Sequence, residues 1–316
     1  QACATRARVL QMAAAEVAQG SAGCALIVCA DRMSNGPVVY YPDASAPGGN
    51  GLTEKWTLDN FGHDPYAKNA MIDTAENASA RLGVTMAELN EVTLARYAQY
   101  QAALADDRAF QRRYMVEAPL FDSGFRRLTG TLAADEGIFP TTAEGLAKLK
   151  PVKPNGTHTF GTQTHPADGN AGMIVTTREL ARALSADSAI EVELLGFGQA
   201  RVDKGFMPLA PAPAAQVALQ QAGLSIKDVD AVKSHNPFAA NDIAFARDTG
   251  FPLEKMNNYG CSLIWGHPQG PTGLRSTIEL VEELALRGSG VGLFTGCAAG
   301  DSGMALVLRV SQAGRR

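Results

Sequence analysis

The chain has 316 residues, 46% of them hydrophobic and 19% charged, which fits one large or two ordinary globular domains rather than a disordered segment. A formal net charge of −4 argues against a nucleic-acid binder, and no apolar run approaches the length of a membrane span. Five irregularly spaced cysteines (Cys3, Cys24, Cys29, Cys261, Cys297) argue against a disulfide framework, and without a Cys-x2-Cys pair no metal site is expected; with no secretory signal visible, the expected setting is reducing and cytoplasmic.

In chain order, residues 3–19 read as a helix with Val9, Leu10, Ala13, Ala14 and Val17 on one face. The apolar run 24–30 has the pattern of a buried parallel strand. Residues 34–62, rich in Pro, Gly, Asn and Asp, read as loop. Two amphipathic helices are expected within 74–105, broken near Gly83, and 117–156 is mixed with several turn signals. Residues 171–177 read as another buried strand, followed by a helix through 178–184. From 189 onward the pattern alternates. Strands are expected at 189–200, 230–235, 290–297 and 304–310, and helices at 214–223, 241–250 and 272–288, the last with Ile278, Val281, Leu284 and Ala285 inward. That rhythm implies an α/β layered fold with helices on a mostly parallel sheet. The stretch from about 34 to 156 is too long for a simple loop and is expected to be a subdomain that builds a site.

Two cysteines and two histidines stand at places where chemistry is usually staged. Cys3 lies in the first turn of a helix, where free amides and the helix dipole favour a thiolate; the competing reading is a small buried hydrophobe. His267, in Gly-His-Pro-Gln-Gly, suits a general base or a structural hydrogen-bond donor. His235 follows a strand end, where side chains face the ligand crevice of an α/β sheet; alternatively it flanks a helix capped by Asn236. Cys297 also sits past a strand, among glycines that lack the lysine of a phosphate loop. Cys24, Cys29 and Cys261 read as core.

The blocks "GHPQGPTGLR", "GLFTGCAAGDSGMALVLRV", "HNPFAAND" and the opening "QACATRARVLQMAAAEVAQG" stand in an order that resembles the thiolase family over essentially the whole chain. The resemblance implies a layered α-β-α-β-α fold of two related halves: 1–40 with 155–188 as a partial N-terminal half, 41–154 as a loop domain covering coenzyme A, and 189–316 as the C-terminal half. It also implies an acyl-CoA C-acyltransferase. Cys3 would be the acylated nucleophile, His267 its base, and Cys297 the acid/base at the second substrate's C2. His235 with His267, through a water, would form one oxyanion site, and the amides of Cys3 and Ala299 the other. Asn236 would support the site. Thr164, Met71, Phe238 and Arg126 match positions that meet the pantetheine arm, the acyl group or the phosphates of coenzyme A. No tightly bound cofactor is implied; acyl-CoA and CoA are the substrates, and a homodimer or tetramer is expected.

The chain departs from the pattern in places. His235-Asn236-Pro237-Phe238 replaces the usual Asn-Glu-Ala-Phe or the alternative His-Asp-Cys-Phe. Ala299 replaces a glycine, Ala70 a frequent histidine, and His165 a glycine. The segment that precedes the nucleophile in the family is absent, so three of five strands in the N-terminal half are expected to come from a second polypeptide.

Overall fold

The computed structural model describes residues 2–312. A short 3-10 turn at Ala2–Ala4 leads into α1 (Thr5–Ala18) and then β1 (Cys24–Arg32). Next come β2 (Val39–Tyr41), β3 (Leu52–Glu54), α2 (Trp56–Gly62), α3 (Met71–Leu82), α4 (Met86–Ala103) and the single turn α5 (Ala105–Arg108). β4 (Ala118–Phe121), β5 (Leu128–Leu132) and α6 (Ala143–Ala147) complete this middle segment. The chain returns through β6 (Asp168–Thr176), α7 (Arg178–Leu184) and β7 (Ile190–Arg201). It ends with α8 (Pro211–Gln221), β8 (Ala231–His235), α9 (Ala239–Thr249), α10 (Ser262–Trp265), α11 (Thr272–Arg287), β9 (Gly290–Ala298) and β10 (Ser302–Gln312).

The C-terminal strands form one sheet in the order β7-β10-β9-β8. Only β8 and β9 are parallel; β10 runs antiparallel to both β9 and β7. This corrects the expectation of a mostly parallel sheet. The three-residue turn between β9 and β10 has no room for a crossover helix, so the two strands must fold back on each other. Gly196 and Gly198 on β7 explain how α8 packs so closely: a Cβ at Gly196 would collide with the Ala218 carbonyl, and one at Gly198 with the backbone of Ala214 and Ala218. The helix answers with a face of alanines, Ala214, Ala215 and Ala218, all buried.

β1 also departs from expectation. It pairs antiparallel with β6, not parallel, and is buried on one face only. Ala25, Ile27 and Cys29 face α1 and α11, whereas Leu26 and Val28, with Ile174 opposite Leu26, lie on the exposed face. Cys24 shares that exposed face and is not core; Cys29 is half-buried and Cys261 buried. The helices α1 and α11 lie between the β1–β6 pair and the four-stranded sheet. Leu10, Leu274, Leu280 and Leu284 are fully buried there, with Ile278, Val281 and Ala285 only partly covered at the margin.

The middle segment holds more structure than its composition suggested. Residues 34–62 contain the β2–β3 hairpin and α2. A second hairpin, β4–β5, lies within 117–156. Both were obscured because their strands are three to five residues long and mostly exposed, leaving no apolar alternation to read. The helix pair α3–α4 is as expected. α3 ends at Gly83 in the left-handed region (φ 63°), and α4 opens on a capping box: the Glu88 amide donates to Thr85 Oγ1 at 3.3 Å while the Thr85 amide donates to Glu88 Oε2 at 2.8 Å.

Candidate active site

Four segments far apart in sequence meet at one cleft. Cys3, half-buried in the turn before α1, brings its Sγ to 3.0 Å from Nε2 of His267. His267 sits in the turn between α10 and α11. Its amide donates to the His165 carbonyl at 2.8 Å, and its Nδ1 lies 2.6 Å from Thr272 Oγ1. With Nδ1–H donated to that hydroxyl, Nε2 turns its lone pair to the cysteine. The frame of the turn is also explained: Gly266 adopts φ 92°, and a Cβ there would fall 2.7 Å from that of Ala167 and 2.9 Å from the His165 ring.

His235 ends β8, as expected for a residue at a strand terminus. Its ring stacks on His267 with centroids 4.1 Å apart, and its Nδ1 is 2.9 Å from Ser262 Oγ. Across the sheet Gly296 leaves space for it; a Cβ there would lie 2.8 Å from that of His235. Cys297 follows on β9, fully enclosed, and accepts a hydrogen bond from Asn241 Nδ2 at 3.3 Å. Burial pushes its thiol well above the ordinary range, and the nearby Cys3 pushes the same way. Cys297 therefore rests as a thiol. Cys261 is also held protonated, raised to about 11 by burial and then by the Asp242 carboxylate, but it lies behind Asn236 and away from the cleft.

The cleft opens into a cavity of about 370 Å³. Cys3, His235, His267 and Cys297 line it, and the remaining wall is largely apolar: Phe61, Met71, Ile72, Val152, Met207 and Phe238. Thr164 and Ala70 line it as well. The Thr164 amide donates to the Pro237 carbonyl at 2.7 Å, and its hydroxyl donates to the Ser262 backbone carbonyl.

Three of the residues singled out in the sequence lie elsewhere. Arg126 is exposed on the β4–β5 turn, its amide donating to Asp122 at 2.9 Å, and it is not among the cavity-lining residues. Ala299 is half-buried in the turn after β9. Asn236 is buried but does not cap α9, whose N-cap is Phe238. Instead its Oδ1 accepts from the Leu263 amide and Ser262 hydroxyl, both at 3.1 Å, and its Nδ2 donates to Asp242 at 2.8 Å. It clamps the Ser262 segment, and so His235, to the sheet.

That clamp continues into α4. Arg96, with almost no exposure, donates from Nε to Asp242 Oδ2 at 2.8 Å, from Nη1 to the Met256 carbonyl and from Nη2 to the Leu253 carbonyl, the last two at 3.0 Å. Asp242 also accepts from Ser234 Oγ at 2.6 Å and Asn257 Nδ2 at 3.1 Å. A buried carboxylate stripped of its cation is costly, so Arg96→Ala is expected to lower unfolding stability by about 3–5 kcal/mol, read from urea denaturation. A loss below about 1 kcal/mol would show that the pair carries little.

Gln269 was not singled out in the sequence. It is buried, and its Oε1 lies 3.5 Å from Cys3 Sγ on a turn residue with φ 41°. The next amide, of Gly270, donates to Asp31 on β1 and anchors that turn. A primary amide can face a thiol with its oxygen or, turned over, a thiolate with its NH2 group. Gln269→Leu is expected to slow Cys3 alkylation by iodoacetamide about fivefold with little change in thermal stability, the worth of one neutral hydrogen bond. An unchanged rate would leave Gln269 a packing residue. Its only sequence signal was a polar side chain wedged between His267-Pro268 and Gly270.

The comparisons with known proteins agree with this geometry. Residues 1–179 match the family model "Thiolase, N-terminal domain" and residues 189–310 "Thiolase, C-terminal domain". The chain is 36% identical over 220 residues to the peroxisomal 3-ketoacyl-CoA thiolase B of Rattus norvegicus, a match covering 68% of this chain but 51% of that protein. It is 30% identical over 314 residues to the acetyl-CoA acetyltransferase of Escherichia coli (strain K12), covering 97% of this chain and 77% of that one. The chain thus spans about half the length of the first of these relatives. The crystal structure of human mitochondrial 3-ketoacyl-CoA thiolase in complex with CoA superposes with a TM-score of 0.85 at 26% identity, over 98% of this chain and 76% of that one. Both halves of the chain match, and the matched sequence folds into the same architecture: this chain belongs to the thiolase family.

Proposed function

We propose that the chain is an acyl-CoA C-acyltransferase working through an acyl-cysteine intermediate. The observation that carries this reading is the 3.0 Å contact between Cys3 Sγ and His267 Nε2 at the floor of a largely apolar cavity that also holds Cys297 and His235. Cys3 attacks the thioester carbonyl as His267 takes its proton, and the CoA thiol departs with that proton. The acyl group then rests in the cavity, and Met71 and Phe238 cover it. In thiolysis Cys3 attacks the C3 ketone of a 3-ketoacyl-CoA; the C2–C3 bond then breaks, leaving the acyl group on Cys3 and a carbanion at C2, and free CoA later takes the acyl group from Cys3. The buried Cys297 thiol protonates the carbanion, and Asn241 steadies the resulting thiolate. In condensation the same sulfur removes that proton.

Each half-reaction places charge on a thioester oxygen. His235 and His267, through a water, would hold one, and the amides of Cys3 and Ala299 the other. Asn236 keeps His235 in place, and Thr164 receives the pantetheine arm. Arg126 is retained only as a phosphate contact made from outside the cavity. In this reading 1–40 with 155–188 forms the partial N-terminal half, 41–154 covers CoA, and 189–316 forms the C-terminal half. No tightly bound cofactor enters this chemistry.

Among the described residues no helix is long and apolar enough to cross a membrane. A homo-oligomer and a second polypeptide belong to the same reading; its support is the exposed apolar face of Leu26, Val28 and Ile174. The cytoplasmic setting rests on the sparse, irregular cysteines alone.

The test is turnover of acetoacetyl-CoA with free CoA, followed by loss of the 3-ketoacyl absorbance. Production of two acetyl-CoA per substrate, lost in Cys3→Ala, is the expected result. Absence of thiolysis and condensation across short, medium and long 3-ketoacyl-CoA substrates would overturn the reading.

A further inference from the structure

We propose that the cleft is also a reversible inhibitory site for a soft divalent cation, Zn2+, ligated by the Cys3 thiolate and one ring nitrogen each of His235 and His267. The inhibitory consequence rests on the acyl-transfer reading; the binding does not.

The sulfur and the two nitrogens all lie within 4.8 Å of one another. The imidazoles are presented as zinc ligands usually are. Each turns one nitrogen inward while its Nδ1 meets a hydroxyl, Thr272 Oγ1 at 2.6 Å for His267 and Ser262 Oγ at 2.9 Å for His235. Such outer contacts fix the tautomer and aim the ligating nitrogen. Ser262 is itself held by Asn236, so the second imidazole cannot swing away cheaply. Both rings are buried and stack with centroids 4.1 Å apart, so a small pivot of the rings about their Nδ1 contacts is needed for both lone pairs to meet one ion. One thiolate and two imidazoles suit Zn2+, and three protein ligands leave its fourth tetrahedral position for a water from the cavity.

His235 supplies the third ligand. It stands where the family resemblance expects an asparagine in most members, whose amide is a poor zinc ligand. No spacing rule would find the site, because residue 3 and residues 235 and 267 come together only in the fold.

The binding step is balanced without a redox change. The Cys3 S–H bond breaks, its proton passes to solvent, and a zinc–sulfur bond forms as the ion sheds hydration water. The capped sulfur can no longer attack a thioester.

The probe is Co2+ titrated into the full chain without added thiols. The expected result is one equivalent bound with a thiolate-to-cobalt charge-transfer band and visible bands of a tetrahedral site, displaced by Zn2+. Cys3→Ser should lose the charge-transfer band, and His235→Asn should weaken binding by about 100-fold or more. Thr272→Val, which leaves all three ligands, should weaken it about 10–100-fold. Zn2+ should block turnover, and EDTA should restore it.

A missing band, or one unchanged in both Cys3→Ser and His235→Asn, overturns the site. Binding without inhibition overturns the regulatory role. The cobalt signal needs no turnover, so a chain that binds cobalt but thiolyses no 3-ketoacyl-CoA would refute acyl transfer and leave the metal site standing.

Discussion

Cys297→Ala is expected to stop carbon–carbon chemistry while Cys3 still becomes acylated. The two sulfurs differ in environment. Cys3 is half-buried and meets an imidazole at 3.0 Å; Cys297 is enclosed, meets a side-chain amide at 3.3 Å, and is held as a thiol by burial. In the proposed mechanism the first loses its proton to a neighbour and attacks, and the second gives a proton to carbon. Alanine at 297 removes the acid without touching the Cys3–His267 pair. Thiolysis and condensation should fall by about 10³-fold, within the range for loss of a general acid or base. Acetyl transfer from acetyl-CoA to Cys3, followed as a single-turnover mass increase, should change less than about threefold by contrast. Equal losses in both half-reactions would show that Cys297 shapes the cleft rather than moving a proton.

His267→Ala should strike the other half. An ordinary thiol with pKa near 8.5 is only a few per cent ionised at pH 7, so in the proposed mechanism the imidazole at Nε2 supplies most of the driving force for attack. Its removal should slow acylation by about 10³-fold and make the residual rate climb steeply with pH between about 6 and 8, because hydroxide must then form the thiolate. The unsubstituted chain should show a flatter profile. A loss below tenfold with an unchanged profile would mean that another group activates Cys3; Gln269 and His235 are the neighbours to examine.

These side chains were legible in the sequence because each stands beside a glycine or a strand end. Gly266 and Pro268 bracket His267, Gly296 precedes Cys297, and His235 closes the apolar strand β8. Side chains at strand ends of an α/β sheet commonly face the ligand crevice. The C-terminal run from β7 to β10 was equally legible, since its strands and helices are long and strongly patterned. What escaped depends on pairing between distant segments. The direction of β1 against β6 is set by which partner the fold supplies, not by the run of apolar residues at 24–30. Arg96 reads as an ordinary helical arginine; its burial depends on Asp242 and the Leu253 and Met256 carbonyls, all more than a hundred residues away in sequence. Gln269 reads as a surface residue until Cys3 is brought over it.

The measurement that tests the central claim most directly is intact mass with peptide mapping of the full chain after exposure to acetyl-CoA or acetoacetyl-CoA. The account predicts one acetyl group, located on Cys3 and removed when free CoA is added. No adduct from either donor, or an adduct on a cysteine other than Cys3, would contradict it.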